Sequence, residues 1–150
     1  MNITSPAFDA DGIIPERFSQ NDANRSLPLD FNDVPPEAQS LVLIMDDPDA
    51  PHGTFTHWVV FDLDPKEGGL GENQRPENAR PGLNDYKQAA YAGPKPPDGE
   101  HRYFLKLYAL NRRLSLPKGA TRQMVEQAMN GFVIAEAHLM GRYATPVGTR

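Results

Sequence analysis

The sequence predicts a mostly β domain with a small α-helical part near its C-terminus, on three observations. The apolar residues fall into short runs rich in β-branched and aromatic types, each ended by Asp, Asn, Gly or Pro. The 15 prolines and 12 glycines leave little room for long helices. Helical spacing arises only in the last third of the chain, and strands first with helices last suit a β domain carrying a small α appendage. At 150 residues the chain has the size of one core, so residues 1–150 are expected to form a single domain.

The elements follow in order. Residues 28–31, leading into Asn32, Asp33, Val34, Pro35 and Pro36, read as a short strand running into a turn. Residues 41–45 are continuously apolar and stop at Asp46, Asp47 and Pro48, the pattern of a strand covered on both faces. Residues 58–61, stopped by Asp62 to Pro65, form a second such strand, and residues 101–110 a third and longer one. The Gly-, Pro-, Asn- and Asp-rich stretch 65–100 is too long for a plain connection, which predicts a functional loop or small strands of its own. Behind Thr121, a ready N-cap, Val125, Ala128, Met129 and Phe132 recur at helical spacing. Gly131 and Gly141 bracket residues 132–140, where Ala135, Glu136, Ala137 and Leu139 favour a second short helix.

Composition narrows the function classes. The net charge of −5 divides into −10 over residues 1–75 and +5 over residues 76–150, so the halves should attract one another. An acidic chain without a dense basic run is a poor nucleic-acid binder, because that binding needs several phosphate contacts. No apolar run approaches the ~20 residues of a membrane span, and the first residues lack the basic-then-apolar order of a signal peptide. The expectation is a cytoplasmic protein that is not membrane-embedded. With no cysteine, thiolate zinc sites and cysteine nucleophiles are excluded.

Polar residues gather at the strand ends. Asp47 and Asp49 lie two apart after the first buried strand, so in extended geometry their carboxylates project the same way. His57 immediately precedes the second strand and sits beside the only tryptophan, Trp58. His101 and Tyr103 share one face of the third strand, with Arg102 on the other. Gly93 and Pro97 belong to a stiff loop in which glycine permits close backbone approach to a ligand. Two carboxylates, two imidazoles and a phenol could thus line one concave site for an anion. The surrounding lysines Lys87, Lys95 and Lys106 read as solvated charges. No serine has a Gly-x-Ser-x-Gly setting, and Gly68-Gly-Leu-Gly71 lacks the Lys-Ser/Thr of a phosphate loop. Asp47, Asp49, His52 and His57 lack helical His-x-x-x-His spacing, so no metal and no cofactor is expected.

Several motifs carry a resemblance. Asp47-Pro-Asp-Ala-Pro51, His57-Trp58, Gly93-Pro94 with Pro96-Pro97, and Gly99-Glu-His-Arg-Tyr103 together resemble the phosphatidylethanolamine-binding protein family, which includes Raf kinase inhibitor proteins, in its bacterial and archaeal branch. Flanking pieces such as Ser5-Pro-Ala-Phe8, Gly82-x-Asn84-Asp85 and Leu107-Tyr-Ala-Leu110 extend it over nearly the whole chain. The resemblance implies a β-sandwich of two antiparallel sheets in a Greek-key arrangement, short helices near the C-terminus, and a small pocket for phosphate, acetate or a phospholipid head group. It places that pocket on Asp47, His57, Gly93, Pro97, His101 and Tyr103, supported by Asp49 and Trp58, with a cis peptide in some Asp-Pro-Asp segments. Asp47 either orients a histidine or pairs with a cationic ligand group. Ser19 to Ala23 and Lys95 stand where many prokaryotic members carry cysteine, which removes any thiol-dependent role. Phe31 stands where tryptophan is common, and no long helix is evident after Arg142, so the ligand-gated kinase regulation of animal members does not transfer.

The expected function is a non-catalytic binding protein with a small-anion pocket, modulating a partner protein such as a kinase or protease. Homodimers are frequent among prokaryotic relatives and are implied as a state here. The rivals are a hydrolase using His57 or His101 as acid–base, and a protease or kinase inhibitor acting through the surface loop 66–84.

Overall fold

The computed structural model describes residues 1–147. Ten elements follow one another: β1 Asn2–Thr4, a 3-10 turn at Glu16–Phe18, β2 Leu29–Asn32, β3 Ser40–Asp47, β4 Phe55–Leu63, β5 Gly69–Leu70, β6 Arg80–Pro81, β7 Glu100–Leu110, α1 Arg122–Met129 and β8 Val133–Ala144. They make two antiparallel sheets, one ordered β1-β2-β5 and the other β6-β4-β3-β7-β8. The stretch 65–100 does hold small strands, β5 and β6, and β5 completes the smaller sheet.

β3 is central in the larger sheet and is buried along its whole length, because both of its faces are covered. Leu41, Leu43 and Met45 join Trp58, Val60, Leu105 and Leu107 in a core that reaches Ile3, Leu29 and Phe31 of the smaller sheet. Val42 and Ile44 face the other way and pack with Val59, Phe61, Val125 and Met129, the last two from α1. That explains why the run of residues 41–45 shows no alternation. Thr121 caps α1 as its side chain accepts from the Met124 N–H at 3.1 Å.

The second C-terminal segment corrects the sequence reading. Residues 132–140 favour helix by composition, yet Val133–Ala144 is a strand paired with β7 from Val133 to Ala144. Ala135, Ala137, Leu139, Gly141 and Tyr143 are more buried than their neighbours, a period of two that helix propensity concealed. An unpaired β7 edge offers backbone hydrogen bonds to the whole segment, and that outweighs a propensity difference of a few tenths of a kcal/mol per residue. The structure therefore has one C-terminal helix among the described residues. All described peptide bonds are trans, including those of the Asp-Pro-Asp segment. Lys106 is also not a free surface charge. It bonds the buried Asp46 carboxylate at 2.9 Å, and Arg122 of α1 bonds the same oxygen at 2.8 Å.

Candidate functional site

A register shift creates the site. Met45 pairs with Trp58 but Asp46 pairs with Thr56, so His57 is an extra residue on β4, a β-bulge. Without the bulge His57 would share the α1-covered face with Val59 and Phe61. With it, the imidazole stands on the side of Tyr103, ring centroids 5.4 Å apart, and meets Phe55 at 5.0 Å. Asp47 ends β3 on that side, and His101 and Tyr103 begin β7 there. These side chains line a cavity of about 460 Å³ together with Pro97, Tyr86, Lys87 and Lys95, a volume within the ordinary range for small-ligand sites.

Five of the eight expected residues converge on this cavity: Asp47, His57, Pro97, His101 and Tyr103. The other three do not line it. Asp49 does not run parallel to Asp47, because residues 48–49 form a turn rather than extended chain. In that turn Asp47 Oδ1 accepts from the Asp49 N–H at 2.8 Å, and the Asp49 carboxylate pairs outside with the Arg102 guanidinium at 2.8 and 2.9 Å. This pairing holds the Asp49 carboxyl at about 2, and fixes Arg102 on the far face of β7 as expected. Trp58 follows His57 onto the same side of the sheet, as the bulge requires, but it packs edge-on against Tyr91 at 5.0 Å and does not line the cavity. Gly93 approaches protein rather than ligand. Its N–H donates to Asn24 Oδ1 at 2.8 Å, and a Cβ there would lie 1.9 Å from the Phe18 carbonyl oxygen.

The two histidines are in opposite states. Both nitrogens of His101 face carboxylates: Nδ1 donates to Asp47 Oδ2 at 2.6 Å and Nε2 to Asp98 Oδ1 at 3.1 Å. Only an imidazolium has two donors. Burial opposes that charge, but the bonds to Asp47 and Asp98 outweigh it and raise the pKa above its ordinary value. His57 donates Nδ1–H to the Ala92 carbonyl at 2.8 Å, which leaves Nε2 as the free nitrogen, without a protein hydrogen bond among the described residues. Burial lowers its pKa, so the ring is neutral at pH 7. Burial, with Asp47 beside it, raises the Tyr103 phenol, which stays protonated. Asp47 is thus committed to orienting His101 and to closing the Asp49 turn.

This geometry fixes the sign of one pH effect. A histidine whose folded pKa is raised adds stability that is complete below about 6.5, the unfolded value, and is lost as pH rises through the folded value. The stability gap between wild type and His101→Gln, read from urea unfolding, is therefore expected to narrow as pH rises above about 6.5. A gap that widens with pH would contradict the imidazolium assignment.

Sequence reasoning missed Asp98, Tyr86, Phe55 and the carbonyl of Ala92. Phe55 lies two residues before His57 on the same strand, a spacing that could have suggested it. Tyr86 sits in a loop held by Asn84, whose Oδ1 accepts from the N–H groups of Tyr86 and Gln88, and local spacing does not reveal where that loop packs.

Comparison with known proteins bears on the family and the fold. Residues 4–144 match the family model described as phosphatidylethanolamine-binding protein. A UPF0098 protein of Methanothermobacter thermautotrophicus is 46% identical over 148 residues, covering 95% of this chain and 98% of that one. One from Aquifex aeolicus is 43% identical over 150 residues, covering 95% and 88%. The crystal structure of a phosphatidylethanolamine-binding protein homologue from Chlamydia trachomatis superposes with a TM-score of 0.93 at 41% identity, covering 97% of both chains. An E. coli member of the family shares the fold, with a TM-score of 0.89 at 24% identity over 97% and 98% of the chains. On the family match, the identities and the shared fold together, the chain belongs to the phosphatidylethanolamine-binding protein family.

Proposed function

We propose that the His57–His101 cavity binds a small anionic group without catalysing a reaction on it, and that occupancy tunes contact with a partner protein such as a kinase or protease. Phosphate, a carboxylate such as acetate, and a phospholipid head group share the chemistry required. The observation that carries this reading is the Asp98 carboxylate on His101 Nε2. A buried imidazolium takes an anionic oxygen at that atom, and the side chain supplying it is 78% exposed and free to swing away. Asp98 precedes Gly99, whose φ of +56° bends the loop back over the ring. The chain's own carboxylate stands where a ligand oxygen would go, and Lys87 and Lys95 add positive charge at the cavity wall. His57 contributes a neutral Nε2 suited to a protonated ligand oxygen.

Since Asp98 competes with the ligand, Asp98→Asn is expected to bind inorganic phosphate more tightly, by about tenfold or 1.4 kcal/mol. Calorimetric titration at pH 6 of wild type and variant measures this, with glycerophosphoethanolamine as a second probe. Binding should also weaken as pH rises past about 6.5 toward the raised value of His101. Equal or weaker binding by the variant would overturn the displacement reading. Wild-type turnover of a phosphoester, ester or peptide, lost in His57→Gln with folding intact, would replace the binding protein with a hydrolase acting through the free Nε2.

A further inference from the structure

A second cavity, of about 800 Å³, lies along β4 and β6, lined by Trp58 and Val60 of the one and Arg80 and Pro81 of the other. Trp58, Val60 and Tyr91 line it from the core, while Arg75, Arg80, Arg113 and Lys118 line it with positive charge. Glu77 is the one carboxylate in the lining. Arg75, Arg80 and Lys118 have no carboxylate within ion-pairing distance among the described residues, and Arg113 reaches Asp62 only at 4.0 Å. In a chain of net charge −5 this is a local excess of unpaired cations.

Separate segments deliver these charges, so the excess is not the accident of one flexible loop. Arg80 is set by β6, where it pairs with Phe61 of β4. Lys118 precedes Gly119, whose N–H donates to the Pro81 carbonyl at 2.9 Å. Arg113 follows β7, and beside it the N–H groups of Leu114 and Ser115 are held by the buried Asp62 carboxylate at 2.7 and 3.1 Å. Bringing like charges together costs self-repulsion, which a bound anion relieves. The volume is near the upper end for small-ligand sites, and a bare oxyanion would fill little of it. The Trp58 and Tyr91 rings, meeting edge to face, offer a wall for an apolar ring body. An extended nucleic acid needs a basic stripe on an open face rather than a concave mouth.

We infer that this cavity is a second ligand site, which takes an organic molecule bearing a phosphate group on an aromatic or other planar apolar body. The phosphate sits among Arg75, Arg80, Arg113 and Lys118, and the body rests toward Trp58 and Tyr91. It is distinct from the His57–His101 cavity, with which it shares no lining residue.

The test uses the full chain and phenyl phosphate as probe, with inorganic phosphate in a parallel titration. Trp58 is the only tryptophan, so its indole N–H gives a single reporter resonance in a proton–nitrogen correlation spectrum. The expected result is a saturable shift with phenyl phosphate, weaker binding of inorganic phosphate, and loss of affinity as salt rises from about 20 to 300 mM. The charge reversal Arg80→Glu with Lys118→Glu, both at exposed positions, should weaken phenyl phosphate at least tenfold. If that variant is destabilised on thermal unfolding, Arg75→Ala with Arg113→Ala is read in its place. No saturable shift, or an undiminished affinity in the folded charge variant, would overturn the second site. So would a response lost in His57→Gln and retained in the charge variant, which would place the probe in the other cavity.

Discussion

Asp47→Ala is expected to destabilise the protein by about 3–5 kcal/mol, the range for removing one partner of a buried ion pair. Asp47 and His101 are 3% and 4% exposed, so water compensates little for a lost partner. The substitution also strips the Asp49 N–H of its acceptor and opens the turn that follows β3. A second signature separates this loss from simple cavity formation. Without Asp47, one of the two carboxylates that raise the His101 pKa is gone, so the part of the stability that is lost as pH rises should shrink in the variant. Urea unfolding near pH 5.5 and pH 8 reads both effects. Asp47→Asn should cost less, since its side-chain oxygen still accepts from His101 Nδ1. A change within about 0.5 kcal/mol for Asp47→Ala would mean that the pair adds nothing net.

The second large effect is expected from Gly93→Ala. Its Cβ would lie 1.9 Å from a backbone oxygen, Phe18 O, and 2.9 Å from Asn24 Oδ1. A main-chain atom cannot step aside as a rotamer can, so the cost should reach or exceed the ~1–3 kcal/mol of ordinary overpacking. The strain would pass to the adjacent Ala92, whose carbonyl holds His57, and alter that ring's nitrogen chemical shifts. Gly99→Ala is the matched control. It has open space around the new methyl and loses only the ~1–2 kcal/mol of a left-handed backbone. Thermal unfolding in which Gly93→Ala proves the milder of the two would overturn this account of the loop.

β2, β3, β4, β7 and α1 were legible because their signals are local. Residues 41–45, 58–61 and 101–110 announce themselves by composition, and Thr121 with the 3.6-residue spacing behind it marks the helix. β8 was not, because its alternation rests on alanines, which carry little hydrophobic contrast and favour helix. At the site, Asp47, His101 and Tyr103 follow from strand parity. His57 was found as a chemical type beside a strand, yet parity alone would have put it on the wrong face, since a bulge leaves no mark in a single sequence. Trp58 and Gly93 were placed at the cavity by the family resemblance, and both instead serve packing beside it. Asp98 was missed because its contact with His101 depends on the loop's return through Gly99, a conformation rather than a pattern.

The two histidines also differ in how their states are inherited. His57 owes its tautomer to the main-chain oxygen of residue 92, and every amino acid supplies that atom, so no codon change at position 92 can delete the acceptor itself. His101 owes its charge to the side chains of Asp47 and Asp98, and single-nucleotide changes at either codon can remove one. Genetic drift can therefore retune the charged histidine, and with it anion affinity, while the neutral one persists for as long as the chain folds.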